Sequence, residues 1–167
     1  GTALPDFYGG FNTSLSAFGF DFNISFAYSV GGKVMDWTYL QLMQNPQSGL
    51  TGMALHRDIL NAWTPDNTGS DIPRLNYNDQ YANYTSDRFL TNGSWLSLQN
   101  VSLSYSLPRK WANAAGLNSV RLGVSGENLT YWSKRKGLDP RINSTGSISA
   151  TKYAPSRTII GSISVGF

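Results

Sequence analysis

The sequence is poor in the residues on which most enzymatic and metal chemistry depends. Its 167 residues include no cysteine and one histidine, His56. Disulfide frameworks and thiolate metal sites are therefore excluded, and we expect neither a histidine-based zinc site nor a cofactor. Charged residues make up 14 % of the chain, against about 25 % in a typical globular domain. The net charge of +3 reflects few acids rather than one basic face, so we expect no nucleic-acid partner.

Long apolar runs are missing as well. No stretch of about 18 apolar residues occurs, which excludes a transmembrane helix. Aromatic residues are nevertheless frequent, at 13 % of the chain, and their need for burial argues against disorder. A membrane location stays open, because the strands of a transmembrane barrel do not produce long apolar runs.

The strongest pattern is the alternation of apolar and polar residues between positions 20 and 30. This period of two predicts a β-strand with one apolar face and one polar face. The apolar positions are Phe20, Phe22, Ile24, Phe26, Tyr28 and Val30, and the positions between them hold Asp21, Asn23, Ser25, Ala27 and Ser29.

The same alternation predicts four further strands, over 11–17, over 101–107, from 120 toward 132, and from 159 to 167. Gly19 predicts a tight hairpin turn, and a short polar stretch at 109–118 joins the third and fourth strands. Two long connections remain, 31–93 and 133–156, and the first contains a predicted short helix from Met53 to Ala62. In an antiparallel meander both long connections lie at one end, and connections of this length usually carry function.

The length of the strand at 20–30 favours a membrane barrel. Ten steps span about 33 Å, and a tilt of about 40° reduces this to roughly 25 Å, the height of the apolar band on outer-membrane barrels. The smallest such barrels have eight strands, so five strands leave two unpaired edges. We therefore predict an all-β fold, in which residues 1–167 form part of a larger barrel.

Eight short motifs occur in an order that resembles one protein family. They read PDFYGGFN at 5–12, WTPDN at 63–67, DIPR at 71–74, DRFL at 87–90, GSWLSLQNVSLSYSLP at 93–108, ENL at 127–129, GLDP at 137–140 and YAPSRT at 153–158. On these motifs the chain resembles the SusC/RagA-like TonB-dependent transporters of Gram-negative outer membranes. Two departures concern charge: Ser97 and Gln99 stand where the family usually has basic residues, and Arg141 stands where it has an acid.

The resemblance implies a 22-stranded barrel with an N-terminal plug, which imports nutrients with energy passed through TonB. A SusD-like surface lipoprotein would cover it, and the substrate would be an oligosaccharide or a peptide. Residues 1–167 would supply the C-terminal five strands of this outer-membrane protein, without the plug and the TonB-contacting segment. No catalytic residue is implied.

Several residues are candidates for specific roles. The terminal alternation of Ile163, Val165 and Phe167 resembles a signal read by the barrel-assembly machinery. Asp66 and Asp71 border an oxygen-rich segment that is only a weak candidate for a calcium site, since it lacks the final acid of an EF-hand, and we expect no metal site. Four aromatic residues either stack on substrate or, the role we favour, pack loops and form the interfacial girdle. They are Trp37, Trp63, Tyr131 and Trp132.

The remaining polar candidates lie in the long connections. The basic triplet Lys134–Lys136 is predicted at the outer rim, where it either meets lipopolysaccharide phosphates or is merely solvated. Arg74 is expected to anchor the first long connection through a bidentate pair. His56 is expected on a helix surface.

Two other functional classes compete with transport. A secreted β-sandwich carbohydrate-binding module accounts for the aromatics but not for the long alternating strand, and a hydrolase lacks an acid pair placed by any motif. The apolar residues of the strand at 20–30 discriminate between them. In a sandwich these residues face a second sheet about 10 Å away, whereas in a barrel segment they face lipid and are exposed in the chain taken alone.

Overall fold

The computed structural model describes residues 1–45, 52–77, 79, 81–135, 137–142, 147–148 and 155–167. The strands in this part of the chain are β1 (Phe7–Ala17), β2 (Phe20–Val30), β3 (Lys33–Asp36), β4 (Leu90–Asn92), β5 (Trp95–Ser106), β6 (Ser119–Ser133), β7 (Ser147–Ile148) and β8 (Thr158–Gly166). The α-helices are α1 (Trp37–Leu42) and α2 (Arg109–Ala114), and 3-10 helices cover Arg57–Asn61, Tyr81–Asn83, Asp87–Phe89 and Pro140–Ile142. No helix in the described ranges is long and apolar enough to cross a bilayer.

The five long strands form one antiparallel sheet in the order β1-β2-β5-β6-β8. Each long strand pairs with the next one along the chain, so the predicted antiparallel meander is confirmed. The short connections β1–β2 and β5–β6 lie at one end of this sheet, which we call the turn end. The long connections leave from the opposite end, which we call the loop end.

The β1–β2 turn consists of two residues with left-handed backbone conformations. Phe18 has φ 53° and Gly19 has φ 83°, as in the type I′ turns that match the twist of a hairpin. A Cβ atom at Gly19 would lie 2.9 Å from the carbonyl oxygen of Ser106. The predicted turn is therefore confirmed, and glycine is required there by both backbone and space.

Irregular pairing in β5 and β6 explains why the prediction for β5 was too short. Opposite β2, the partner of Ser25 is Asn100 but the partner of Phe26 is Leu98, so Gln99 is left out of the ladder. The bulge reverses the alternation, because even positions face the apolar side before Gln99 and odd positions face it after Gln99. A second irregularity in β6 includes Asn128, which has φ 50°.

The sheet has an apolar face and a polar face, and the apolar face is uncovered in the described part of the chain. The side chain of Phe20 is 47 % exposed and that of Ile163 is 75 % exposed. Phe22, Ile24 and Phe26 are half-buried. Side chains of the paired strands β1 and β5 lie beside them and account for this partial burial. The arrangement is that of a barrel segment and not of a sandwich.

The buried core lies in the long connections rather than under the large sheet. Leu40, Met43, Ile59 and Phe89 form one buried cluster, and Val34 packs with Leu138 in a second. A small sheet in the order β4-β3-β7 links the two connections, since β3 pairs in parallel with β7.

The predicted helix from Met53 to Ala62 is wrong in type and extent. Only Arg57–Asn61 is helical, and it is a 3-10 helix. Met53 is largely exposed, so the first half of the segment has no apolar surface to pack against. The α-helices instead form at α1, where the Asp36 side chain accepts a hydrogen bond from the Tyr39 amide, and at α2, within the stretch expected to be a plain polar connection.

Candidate functional site

The second long connection reaches the polar face at the loop end of the sheet. Its Arg141 donates a hydrogen bond from Nη1 to Oγ of Ser97 on β5 at 2.7 Å. Ser97 is completely buried. Ser97 lies on the polar face of the sheet, and the second long connection covers it there.

Arg141 is fixed there by a bidentate ion pair with Asp139. The Nε–Oδ1 and Nη2–Oδ2 distances are 2.8 and 2.7 Å, and the two side chains are only 10 % and 3 % exposed. The guanidinium also lies 4.6 Å from the ring centre of Tyr131. The hydrogen bond to Asp139 raises the pKa of Arg141, so its charge is permanent. We call Ser97, Tyr131, Asp139 and Arg141 the Arg141 clamp.

The clamp brings together the positions at which the sequence departs from the family pattern. Gln99 donates a hydrogen bond to Ser97 Oγ at 3.0 Å, beside the bond from Arg141. A cation at position 97 would face the Arg141 guanidinium directly, and like charges at that distance repel. Ser97 and Arg141 are therefore mutually compatible. Sequence reasoning noted both residues separately and missed their contact.

Asp36 anchors the first long connection to the second. While one carboxylate oxygen caps α1, the other lies 2.9 Å from Nε of Arg135. The Arg135 guanidinium is 3.4 Å from the ring centre of Tyr39, whose hydroxyl donates to Asp58 at 2.9 Å. Burial raises the pKa of Tyr39, and the bond to Asp58 adds to this shift. The phenol therefore stays protonated and keeps donating at neutral pH.

A polar cavity of about 540 Å³ opens beside this anchor. Charged groups of both signs line it, Asp58 and Asp71 on one hand and Arg88 and Arg135 on the other. Within the described residues, Nε of Arg88 is buried without a hydrogen-bond partner. Such a lining suits a polar ligand with both donors and acceptors.

A second polar network crosses the sheet at the turn end. Arg121 on β6 pairs with Asp21 on β2 at 2.6 Å and donates to Ser104 between them. Ser16 on β1 donates to the other oxygen of Asp21 at 2.6 Å. The polar face is thus linked across four strands by hydrogen bonds.

Comparison with known proteins identifies the fold. No protein-family model matches the chain. TonB-dependent receptor P3 of Formosa agariphila is 36 % identical over 143 residues, which are 86 % of this chain and 13 % of that protein. TonB-dependent receptor SusC of Bacteroides thetaiotaomicron is 28 % identical over 147 residues, 87 % of this chain and 14 % of that protein. The structure of the RagAB peptide importer in the open-open state matches with a TM-score of 0.80 at 29 % identity, over 99 % of this chain and 17 % of the matched one. This chain is a barrel segment of a SusC/RagA-like TonB-dependent receptor.

Membership of this receptor family accounts for the open sheet. The chain spans only 13–14 % of the length of these curated relatives, so it corresponds to a small part of each of them. The edges of β1 and β8 are unpaired among the described strands. The all-β prediction is confirmed by this antiparallel sheet of five long strands.

The predicted assembly signal lies on β8 and just after it. Ile163 and Val165 are on the apolar face, opposite Leu122 and Val120 on β6. Phe167 is almost fully exposed. These positions are compatible with the signal that the family resemblance implies.

The four candidate aromatic residues lie at different places in this receptor segment. Trp132 is on the apolar face at the loop end, whereas Tyr131 faces the other way and belongs to the Arg141 clamp. Trp37 packs against the buried cluster of the first long connection. The Trp63 amide donates to the Ile72 carbonyl at 2.8 Å. The four residues are thus distributed over the apolar face, the polar face and the first long connection, and their roles stay a prediction.

The weak calcium candidate is a hydrogen-bonded turn. Asn67 and Ser70 both donate to the Asn61 carbonyl, at 3.1 and 2.5 Å. In the described ranges, Asp66 and Asp71 do not converge with a third acidic or histidine side chain. The structure therefore adds nothing in favour of a cation at this segment.

Two of the other polar candidates, His56 and Arg74, differ from the expectation. His56 precedes a 3-10 helix and caps it by accepting from the Asp58 amide at 3.1 Å, so it is not on a helix surface. Arg74 is exposed and has no ion pair among the described residues, and the buried bidentate pair is made by Arg141 instead. Lys136 lies outside the described residues.

Proposed function

We propose that the chain forms the C-terminal strands, residues 1–167, of an outer-membrane importer barrel. The observation that carries this proposal is the open five-stranded sheet with an uncovered apolar face and a serine- and asparagine-rich polar face. Lipid satisfies the first face and a water-filled lumen satisfies the second. The plug and the segment that contacts TonB would lie elsewhere in the parent protein.

The loop end faces the cell exterior in this proposal, because outer-membrane barrels have short periplasmic turns and longer external loops. A SusD-like lipoprotein would sit over the packed long connections. The substrate would be a peptide or an oligosaccharide, and the likeness to the RagAB peptide importer supports a peptide. The polar cavity beside Arg88 has the mixed lining that either substrate requires.

The segment carries no catalytic chemistry in this proposal, which agrees with relatives that are named as receptors or importers. A carbohydrate-binding β-sandwich is not favoured. It would need a second sheet against Phe22, Ile24 and Phe26, and those side chains have none over them in the described part of the chain.

Purification of the tagged full-length protein tests the proposal. We expect it in the outer-membrane fraction, together with a surface lipoprotein. Uptake of labelled peptides and of labelled oligosaccharides by cells with and without the gene would then identify the substrate. Recovery of the full-length protein in the soluble fraction would overturn the assignment, and the matched control is a known outer-membrane barrel carried through the same fractionation.

Deletion of Phe167 tests the assembly signal. We expect a lower level of the full-length protein in the outer membrane, because the terminal aromatic ends the lipid-facing alternation of β8. Immunoblotting of fractionated membranes measures it. The matched control is Phe18→Asn, since Phe18 is an equally exposed aromatic at the same end of the sheet. Insertion of the Phe167 deletion at the normal level would show that the residue is not a signal.

A further inference from the structure

A groove crosses the apolar face at the loop end, apart from the lumen side. It has a volume of about 590 Å³, within the roughly 300–1,000 Å³ usual for small-molecule sites. Apolar and aromatic side chains form its floor. The lining includes Phe11, Tyr28, Leu96, Trp132 and Lys134.

Lys134 lies directly after the end of β6. Trp132 lies on the apolar face and Ser133 ends β6, and Lys134, the next residue, borders the groove beside Trp132. Arg135 points to the other side and pairs with Asp36. The basic triplet is thus divided, and only Lys134 is directed to the lipid side by the described structure.

Lys134 is a free cation at the edge of an apolar surface. Its side chain is exposed, and in the described ranges it forms no ion pair. Trp132 beside it is 53 % exposed. An ammonium at the rim and an apolar groove below it complement a ligand with a negative head and a hydrocarbon tail.

The aromatic floor is built by the strand pairing. Gly9 lies opposite Tyr28, and a Cβ atom at Gly9 would come 2.9 Å from the Tyr28 hydroxyl. The missing side chain therefore leaves room for the phenol. Phe11 stacks on Phe26 with ring centres 4.9 Å apart. Tyrosine and tryptophan at the end of a membrane strand are typical of the membrane–water interface, where the hydroxyl or the indole N–H reaches the lipid headgroups.

We propose that this groove binds lipopolysaccharide, with acyl chains along the floor and a phosphate at Lys134. The inference rests on the proposed function, which places the loop end at the outer leaflet. Every membrane barrel contacts lipid all round its apolar face. The proposal is more specific, because it states that one class of lipid is held at one cation, Lys134. The groove is continuous with the apolar face, so a bound lipid joins the surrounding annulus without a gap.

Native mass spectrometry of the full-length protein, purified in mild detergent from outer membranes, tests the proposal. We expect Lys134→Glu to reduce retained lipopolysaccharide by more than Lys134→Ala. The alanine variant should lose about fivefold, the factor that one basic side chain contributes at an anionic surface. Trp132→Ala should reduce it as well, and Lys134→Arg should retain it.

Lys110→Ala is the matched control, because Lys110 is an exposed lysine on α2 at the turn end. Retained lipopolysaccharide should not change in this variant. Equal retention in the Lys134 variants and the wild type would overturn the site, and so would replacement of lipopolysaccharide by phospholipid in the wild type. Failure of the full-length protein to reach the outer membrane would instead overturn the proposed function, so the two failures are distinguishable.

Discussion

Replacement of Ile24 by arginine is expected to destabilise the full-length protein in the membrane strongly. Ile24 lies in the middle of β2 on the apolar face, opposite Thr13 on β1 and Val101 on β5. An arginine on the lipid face near the bilayer centre costs about 2–4 kcal/mol. That is a large part of the roughly 5–15 kcal/mol by which folded proteins are stable. A urea titration of the purified protein in lipid vesicles measures this loss in the free energy of unfolding.

The adjacent residue supplies the control for this experiment. Asn23→Arg places the same side chain on the polar face, where Asn23 is exposed, and we expect a change of no more than about 0.5 kcal/mol. The comparison removes strand position and arginine propensity as explanations. Equal loss in both variants would contradict the assignment of faces, and a larger loss for Asn23→Arg would reverse it.

Removal of the Asp139 carboxylate is expected to release the second long connection from the sheet. In Asp139→Ala the Arg141 guanidinium would remain buried beside Ser97 without its bidentate partner, which typically costs about 3–5 kcal/mol. The connection can avoid this cost only by detaching. Exchange of the amide hydrogens of Leu138, Asp139 and Arg141 in the full-length protein should therefore accelerate by roughly a hundredfold or more.

Two variants separate the charge effect from general damage. Asp139→Ala combined with Arg141→Met should recover most of the protection, because an apolar replacement of a buried ion pair is often neutral or stabilising. Asp21→Ala breaks the exposed pair with Arg121 at the turn end and should cost no more than about 1 kcal/mol. If Asp139→Ala exchanged as slowly as the wild type, the clamp would not hold the loop.

The fold of the large sheet was predictable because its signal is local. Phe20–Val30 was predicted with its observed bounds, since every residue of β2 alternates without interruption. β5 was predicted only from Val101, because leaving Gln99 out of the ladder reverses the pattern in the residues before it. A bulge adds one unpaired residue to the strand, so the apolar positions change from even to odd numbers. No local sequence pattern shows where this change occurs.

The long connections were less predictable because their contacts are distant in sequence. Leu40 and Phe89 meet in one buried cluster although 49 positions separate their numbers, and no period relates them. Arg74 was expected to anchor a long connection through a bidentate pair, whereas the bidentate pair in the described residues is made by Arg141. Both are arginines in long polar segments, and only packing decides which one is desolvated.

The amino-acid sequence by itself determined which residues of the regular strands lie on the apolar face, which lie on the polar face, and which end of the sheet carries the long connections. These properties follow from side-chain alternation and from strand parity, which operate over neighbouring residues. Tertiary structure alone decided that Arg141 reaches Ser97, that Arg135 pairs with Asp36, and that Lys134 borders the groove without an ion pair to any described residue. The choice among charged partners depends on burial and distance, which exist only once the chain has folded.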